Sequence, residues 1–216
     1  MRGERAEFAL VSAGFTNAGC LLRHAPCSPL RSVELKQAIQ ARHAVRSYSR
    51  LAVEERDLRA LLEAAVRAPN ARNEQPWSFV VIQNRNQLQR YSDEAKSRLA
   101  ATEHESATSR SLLRGRVDVF HGAGTLIVIC GRGSDRFAHA DCWLAAENLM
   151  LTACDLGLGT CPVGAALPVL NSPSVKAELA IPEAVTAIVP IVVGHPDGAA
   201  PGCTPRAAPK IWSFCR

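Results

Sequence analysis

"PNARNEQPWSFVVI" (residues 69–82) is where a helix gives way to a sheet. Pro69 bars any preceding helix from continuing, and WSFVVI (77–82) has the β-branched and aromatic composition of a strand. Between them stand Asn70, Arg72, Asn73 and Gln75, more hydrogen-bonding capacity than a turn consumes. A long turn accounts for part of this, because Asn tolerates left-handed backbone and Pro76 sets an extended entry to the strand. The amides would equally suit a heteroaromatic ring with alternating N–H and C=O groups.

Upstream of this stretch the pattern is helical. SVELKQAIQAR (32–42) predicts a helix capped by Ser32 with a stripe of Val33, Leu35, Ala38 and Ile39, and VEERDLRALLEAAVRA (53–68) predicts a second. Downstream, NQLQRYSDEAKSRLAA (86–101) is a polar helix and 104–116 a polar loop or helix without clear period. GTLIVIC (124–130) is an apolar strand. AHADCWLAAENLMLTACDLGLG (138–159) is a helix apolar on nearly every side and stopped by Gly157. Such a helix belongs in a core or a subunit interface. TCPVG (160–164) reads as a short strand, SPSVKAEL (172–179) as a helix with Pro at its first position, and AVTAIVPIVVG (184–194) as a central strand interrupted by Pro190. The Pro- and Gly-rich tail is extended, yet ends in the apolar IWSF (211–214). Helices first, then strands mixed with helices, describe an α+β or α/β domain around one sheet.

At 216 residues and 23.2 kDa the chain is one medium domain with an N-terminal extension, residues 1–32, ahead of a domain spanning 33–216. Its 47% hydrophobic and 21% charged residues suffice for a core without disulfides or metal. The net charge of +5 is spread thinly and only 5% of residues are aromatic, which argues against a nucleic-acid module. No stretch reaches the ~18 apolar residues of a membrane span. The extension makes a poor signal peptide, so a cytoplasmic protein is expected. The eight cysteines include no C-x-x-C pair and no histidine at ligand spacing, so no metal site is expected. Cys130, Cys142, Cys154 and Cys161 lie in apolar runs, where a thiol behaves as a small hydrophobe.

Three pieces bear chemistry. Arg42 and Arg46, four apart where the first helix frays, could converge on an anion, or could be solvated arginines favoured at a helix C-terminus. Arg206 in the tail has the same two readings. Asn70, Asn73 and Gln75 form the second piece. Gly164 and Ala165 follow a strand where backbone N–H groups could approach a flat ligand, or simply connect strand to helix. His43 and His195 lie nearest, but no nucleophile elbow, G-x-G-x-x-G or phosphate loop is present.

Taken in order, ARHAVRSYS (41–49), PNARNEQPWSF (69–79), DCWLAAENLMLTACDLGLG (141–159) and the IPE…VVGHP finish (181–196) resemble the nitroreductase family of FMN-dependent oxidoreductases. The resemblance runs from about Glu34 to Phe214. It implies a three-layer α-β-α fold, a mixed sheet flanked by helices, in an interlocked homodimer with an extended C-terminal tail and FMN at the subunit interface. Arg42 would hold the phosphate, with His43 and Ala44 contributing backbone nearby, and Arg46 would reach the ribityl chain or the N1–O2 edge. Pro69, Asn70, Ala71 and Asn73 would come from the other subunit. Gly164 and Ala165 would face N5 and O4, while Thr204 and Arg206 would return in the tail, Arg206 to the phosphate. NADH or NADPH would deliver hydride to flavin N5 and leave, and an electron-poor small molecule (a nitroaromatic, quinone or similar) would take its place in ping-pong fashion. No side chain need act as acid or base, so no catalytic residue is named.

The sequence departs from the family pattern at Ala44, where members often carry a hydroxyl, at Asn70–Ala71, often two serines, at bulky Arg72, and at Thr204, often Lys. These departures leave open an alternative, a non-catalytic flavin-binding or scaffold dimer, beside that of a specialised flavin reaction on the same fold.

Overall fold

The apolar runs become strands of one sheet, because β-branched and aromatic side chains pack well on a pleated, half-buried surface. The computed structural model describes residues 33–101, 118–132, 136–198 and 205–216. Strands β1 (Trp77–Ile82), β2 (Thr125–Arg132), β3 (Gly159–Pro162) and β4 (Val185–Gly194) stand in the order β1-β2-β4-β3. All their ladders are antiparallel. The mixed character expected of the sheet rests on one parallel bridge among the described residues, Ala44–Thr160, at the β3 edge.

Alternation along β2 assigns the two faces. Ile127 and Ile129 point to helices α2 (Glu55–Ala65) and α4 (Arg136–Asp155), packing with Leu58, Leu61, Ala145 and Leu149. Leu126 and Val128 point the other way, to α3 (Arg85–Ala101), α5 (Leu167–Leu170) and α6 (Pro173–Glu178), through Leu88, Tyr91, Val169 and Val175. The result is the α-β-α layering, and Val33–Arg216 form one compact unit. Among the described residues no helix is long and apolar enough to cross a membrane.

Several boundaries differ from expectation. Helix α1 (Leu35–Ala41) begins after Glu34, which makes no side-chain cap, and the expected cap Ser32 lies outside the described residues. Of its stripe only Ala38 is buried, while Leu35 and Ile39 are 66% and 56% exposed. Helix α2 ends at Ala65 in a turn over 66–68, before Pro69 acts. Pro190 does not interrupt β4. Its carbonyl accepts the Val163 N–H at 2.8 Å, on the side where β3 is ending. In an antiparallel ladder a residue's N–H and C=O face the same neighbour, so the missing donor falls where little sheet remains to receive it. A bulge at Ile188, between the Val189 and Ala187 pairings, bends the strand just before.

The long helix stops as the glycine predicts. Gly157 takes φ +71° and the Leu158 N–H closes onto the Ala153 carbonyl at 2.8 Å. The core cysteines are inert hydrophobes. Burial pushes Cys130 up to about 11 and Cys142 up to about 12, and raises Cys161 as well. Residues 1–32, the polar stretch 104–116, Thr204 and the cysteines at 20, 27 and 203 lie outside the described residues.

Candidate functional site

The segment after α1 cannot stay helical, since Arg42 already has β-type backbone (φ −61°, ψ 124°). It runs extended along β3 and the end of β4. Val45 N–H donates to the Thr160 carbonyl at 3.0 Å, Ser49 N–H to the His195 carbonyl and Asp197 N–H to the Ser47 carbonyl, both near 3 Å. Tyr48 is buried, and its hydroxyl donates back to the Val45 carbonyl at 2.8 Å. Burial pushes that phenol far above its usual range, the Cys161 thiol adds to the shift, and Arg46 opposes it. Gly159 is required here. A Cβ on it would stand 2.7–2.9 Å from the Val45 side chain.

This seating brings Arg42 and His43 to the rim of a cavity of about 270 Å³, with apolar walls from Val45, Met150 and Leu158. Arg42 Nε lies 3.1 Å from Glu147 Oε1 on α4, an ion pair by distance, yet it is not aligned to donate a hydrogen bond there. His43 Nδ1 bonds the Ala41 carbonyl at 2.9 Å, leaving Nε2 buried. Both Arg42 Nε and His43 Nε2 are buried polar atoms without a hydrogen-bond partner among the described residues. Buried polar groups are normally paired, so each such atom calls for an explanation.

Beyond β3 the chain turns through a 3-10 turn, Gly164–Ala166. Gly164 is exposed, and a Cβ on it would meet nothing within 4 Å. The N–H groups of Gly164 and Ala165 donate to no described residue, whereas that of Ala166 reaches the Val163 carbonyl. The first amides of any helical turn are left over in this way. The Ala44–Thr160 bridge thus links the arginine segment to the strand that leads into these free donors. Arg46 is exposed, lies outside the cavity, and is within electrostatic reach of Tyr48 and His121.

The loop at 69–75 is elsewhere in the protomer. Asn70 Oδ1 accepts the Gln75 N–H at 2.8 Å, so this amide serves the turn. Arg72, Asn73 and Gln75 all take left-handed backbone, with φ of 53°, 55° and 47°. The Ala71 N–H donates to Asp141 Oδ2 on α4 at 3.1 Å. None of these residues lines the Arg42 cavity. Asp141 and cavity-lining Met150 are nine residues apart on α4, about 14 Å along its axis. Within one protomer, then, the loop and the arginine segment belong to different places. Arg206 is exposed and makes no hydrogen bond or ion pair with a described residue.

Two residues near these places were not singled out as site residues from the sequence. Asp141 carried no signal beyond its oddity in an apolar helix. His121 is half-buried with φ +56°, and burial first, then Arg46, lowers its imidazole pKa while Asp118 opposes. Asp118 also fixes its turn, accepting the Phe120 and Gly122 N–H groups at 3.0 and 2.8 Å.

Comparison with known proteins identifies the family and the fold. A protein of Archaeoglobus fulgidus whose name includes "NAD(P)H nitroreductase" is 28% identical over 168 residues, 76% of this chain and 86% of its own. A 4-nitrobenzoate reductase of a Nocardioides species is 27% identical over 215 residues, 82% of this chain and 86% of its own. The crystal structure of a nitroreductase with bound FMN from Bacteroides fragilis matches with a TM-score of 0.75 at 26% identity, covering 85% of this chain and 100% of that one. The profile of the Nitroreductase family matches residues 39–195, from within α1 to just past β4, and the chain belongs to that family.

Proposed function

We propose that the chain is an FMN-dependent oxidoreductase that takes hydride from NAD(P)H and passes electrons to an electron-poor small molecule, a nitroaromatic, quinone or similar. The observation that carries this reading is the Arg42–His43 pair, two buried nitrogens without a hydrogen-bond partner among the described residues, beside a cavity, in a chain of this family. The residues present fit the group. An anionic phosphate wants a guanidinium donor, and the N–H groups of Gly164 and Ala165, which donate to no described residue, suit the acceptor edge of a flat ring.

In this reading Arg42 holds the phosphate beside the backbone of His43 and Ala44, and Arg206 joins it from the tail. Arg46 places positive charge near the ribityl chain and the N1–O2 edge. Gly164 lets the backbone approach closely because it has no side chain, and Ala165 donates its N–H beside it. Pro69, Asn70, Ala71 and Asn73 serve the site of the other subunit. FMN, when bound, accepts hydride at N5 and releases electrons to the second substrate, the role a flavin plays in many oxidoreductases. The protein supplies binding, orientation and charge. Residues 33–216 form the FMN-binding domain and 1–32 an extension to it. The cytoplasm, where NAD(P)H is supplied, is the compartment this chemistry needs.

Exposed apolar side chains support a homodimer. Helix α4 leaves Phe137, Trp143 and Leu144 between 44% and 49% exposed, and the tail leaves Ile211, Trp212 and Phe214 at 65%, 87% and 72%. Together with Leu35 and Ile39 they form more open apolar surface than a monomer ordinarily keeps. A partner packed on α4 would also bring its own 69–75 loop within reach of this chain's arginines.

Initial velocities at several fixed acceptor concentrations test the reading. Parallel double-reciprocal lines against NADH or NADPH are expected for a shared, alternately occupied site. Intersecting lines would overturn the ping-pong scheme, and no turnover with either nucleotide would overturn the oxidoreductase reading.

A further inference from the structure

Two of the three carboxylates on helix α4, Glu147 and Asp141, do different work. Glu147 lies against Arg42 at 3.1 Å. Asp141, six residues earlier and so about 9 Å along the axis, reaches the 69–75 loop instead. It is 5% exposed in a helix otherwise lined by alanine, cysteine, leucine and methionine on its buried face. Burying a carboxylate in such surroundings is costly unless hydrogen bonds offset it. The described bond is the one from the Ala71 N–H, at 3.1 Å and across 70 residues of sequence.

That bond sits at the hinge of a strained loop. Three non-glycine residues within four positions, Arg72, Asn73 and Gln75, hold positive φ. Such backbone is disfavoured for residues with a side chain, Arg72 and Gln75 above all, so the loop needs fixed anchors to keep this shape. Asn70 Oδ1 to Gln75 N–H closes the loop on itself, and the Arg132 N–H to the Pro76 carbonyl ties its exit to the sheet. The Ala71–Asp141 bond ties its centre to α4.

We propose that Asp141 is a positioning residue for the flavin: through the Ala71 N–H it sets the backbone of the loop that presents Asn70 and Asn73 to the cofactor. The inference rests on the FMN reading above. Since Glu147 of the same helix adjoins Arg42, each α4 touches the phosphate-holding arginine of its own site through one carboxylate and the amide loop that serves the other subunit's site through another.

The test uses the full-length protein and FMN itself. D141A removes the acceptor, D141N keeps an oxygen in place, and A71P removes the N–H while leaving Asp141 untouched. Proline suits position 71, because Asn70 already has the extended backbone (φ −150°, ψ 153°) that a following proline demands. D141A and A71P should each raise the FMN dissociation constant by about tenfold or more, the effect of losing a hydrogen bond to a charged group, and should alter the visible circular dichroism of the bound flavin. D141N should recover most of the affinity and the wild-type spectrum. In the A71P background D141A should cost nothing further, because both break one bond.

A D141A protein that binds FMN as wild type does, with an unchanged spectrum, overturns the inference. So do D141A and A71P losses that multiply. Should D141A fail to fold, A71P with wild-type affinity and spectrum overturns it equally. A wild-type chain that takes up no FMN sinks the functional reading beneath it, an outcome separate from any difference among the variants.

Discussion

The Val45 N–H donates to the Thr160 carbonyl at 3.0 Å, and this bond, with the Ala44–Thr160 bridge, seats the arginine segment against β3. It fixes where Arg42 and His43 emerge and ties them to β3, the strand that leads into the turn at Gly164. The two strands approach closely because Gly159 has no side chain.

Gly159→Ala therefore tests the seating. Its Cβ would fall 2.7–2.9 Å from atoms at the root of the Val45 side chain, which cannot swing aside. The expected cost is about 1–3 kcal/mol of stability, as for other overpacked cores, with a loss of FMN affinity as the segment shifts. Val45→Ala in the same chain should restore part of both, measured by denaturant unfolding and flavin titration.

Gly164→Val separates binding from folding. Open space surrounds a Cβ at this position, so stability should stay within about 0.5 kcal/mol of wild type. The added side chain would stand between the backbone donors and a flat ring, and FMN affinity should fall sharply. Wild-type affinity in this variant would remove Gly164 from the site.

Arg42→Ala should weaken FMN binding by roughly 1.5–3 kcal/mol, the worth of a hydrogen bond to a charged group. Its partner Glu147 is 45% exposed and can be hydrated when the arginine is gone, so the fold should persist. Flavin occupancy equal to wild type would break the assignment of the phosphate site.

His121 makes a pH-dependent prediction. Its imidazole pKa is lowered in the folded state, by burial and then by Arg46, from about 6.5 in the unfolded chain. The unfolded chain therefore binds the proton more readily, so this residue costs nothing above that pH and destabilises the fold as pH falls through and below it. His121→Asn, which tolerates the same left-handed backbone, should flatten the decline in stability below about pH 6.5. An unchanged acid limb in chemical unfolding would contradict the assignment.

Much of the fold was legible because it follows local rules. WSFVVI is β1 without adjustment, and Pro173 and Gly157 mark a helix start and a helix end where such residues do. Pro190 was misleading. Its effect depends on which neighbour its missing N–H would have met, and that is a property of the sheet. The face of α1 was hidden for a similar reason: Leu35 and Ile39 form a stripe, but no described surface covers it. At the site, arginines, amides and glycines could be named from their chemistry. The Asp141–Ala71 bond spans 70 residues, and Arg46 meets His121 only once the sheet is assembled. No spacing rule in one sequence reaches that far.

Holding FMN and reducing it with a nicotinamide nucleotide is the activity proposed for this chain. The visible spectrum of the purified protein, supplied with FMN and recorded before and after anaerobic NADH and then NADPH, tests it most directly. A protein-bound flavin spectrum that bleaches with at least one nucleotide, with FMN released on heating, is expected. A protein that retains no FMN, or one whose bound flavin neither nucleotide bleaches, would contradict it.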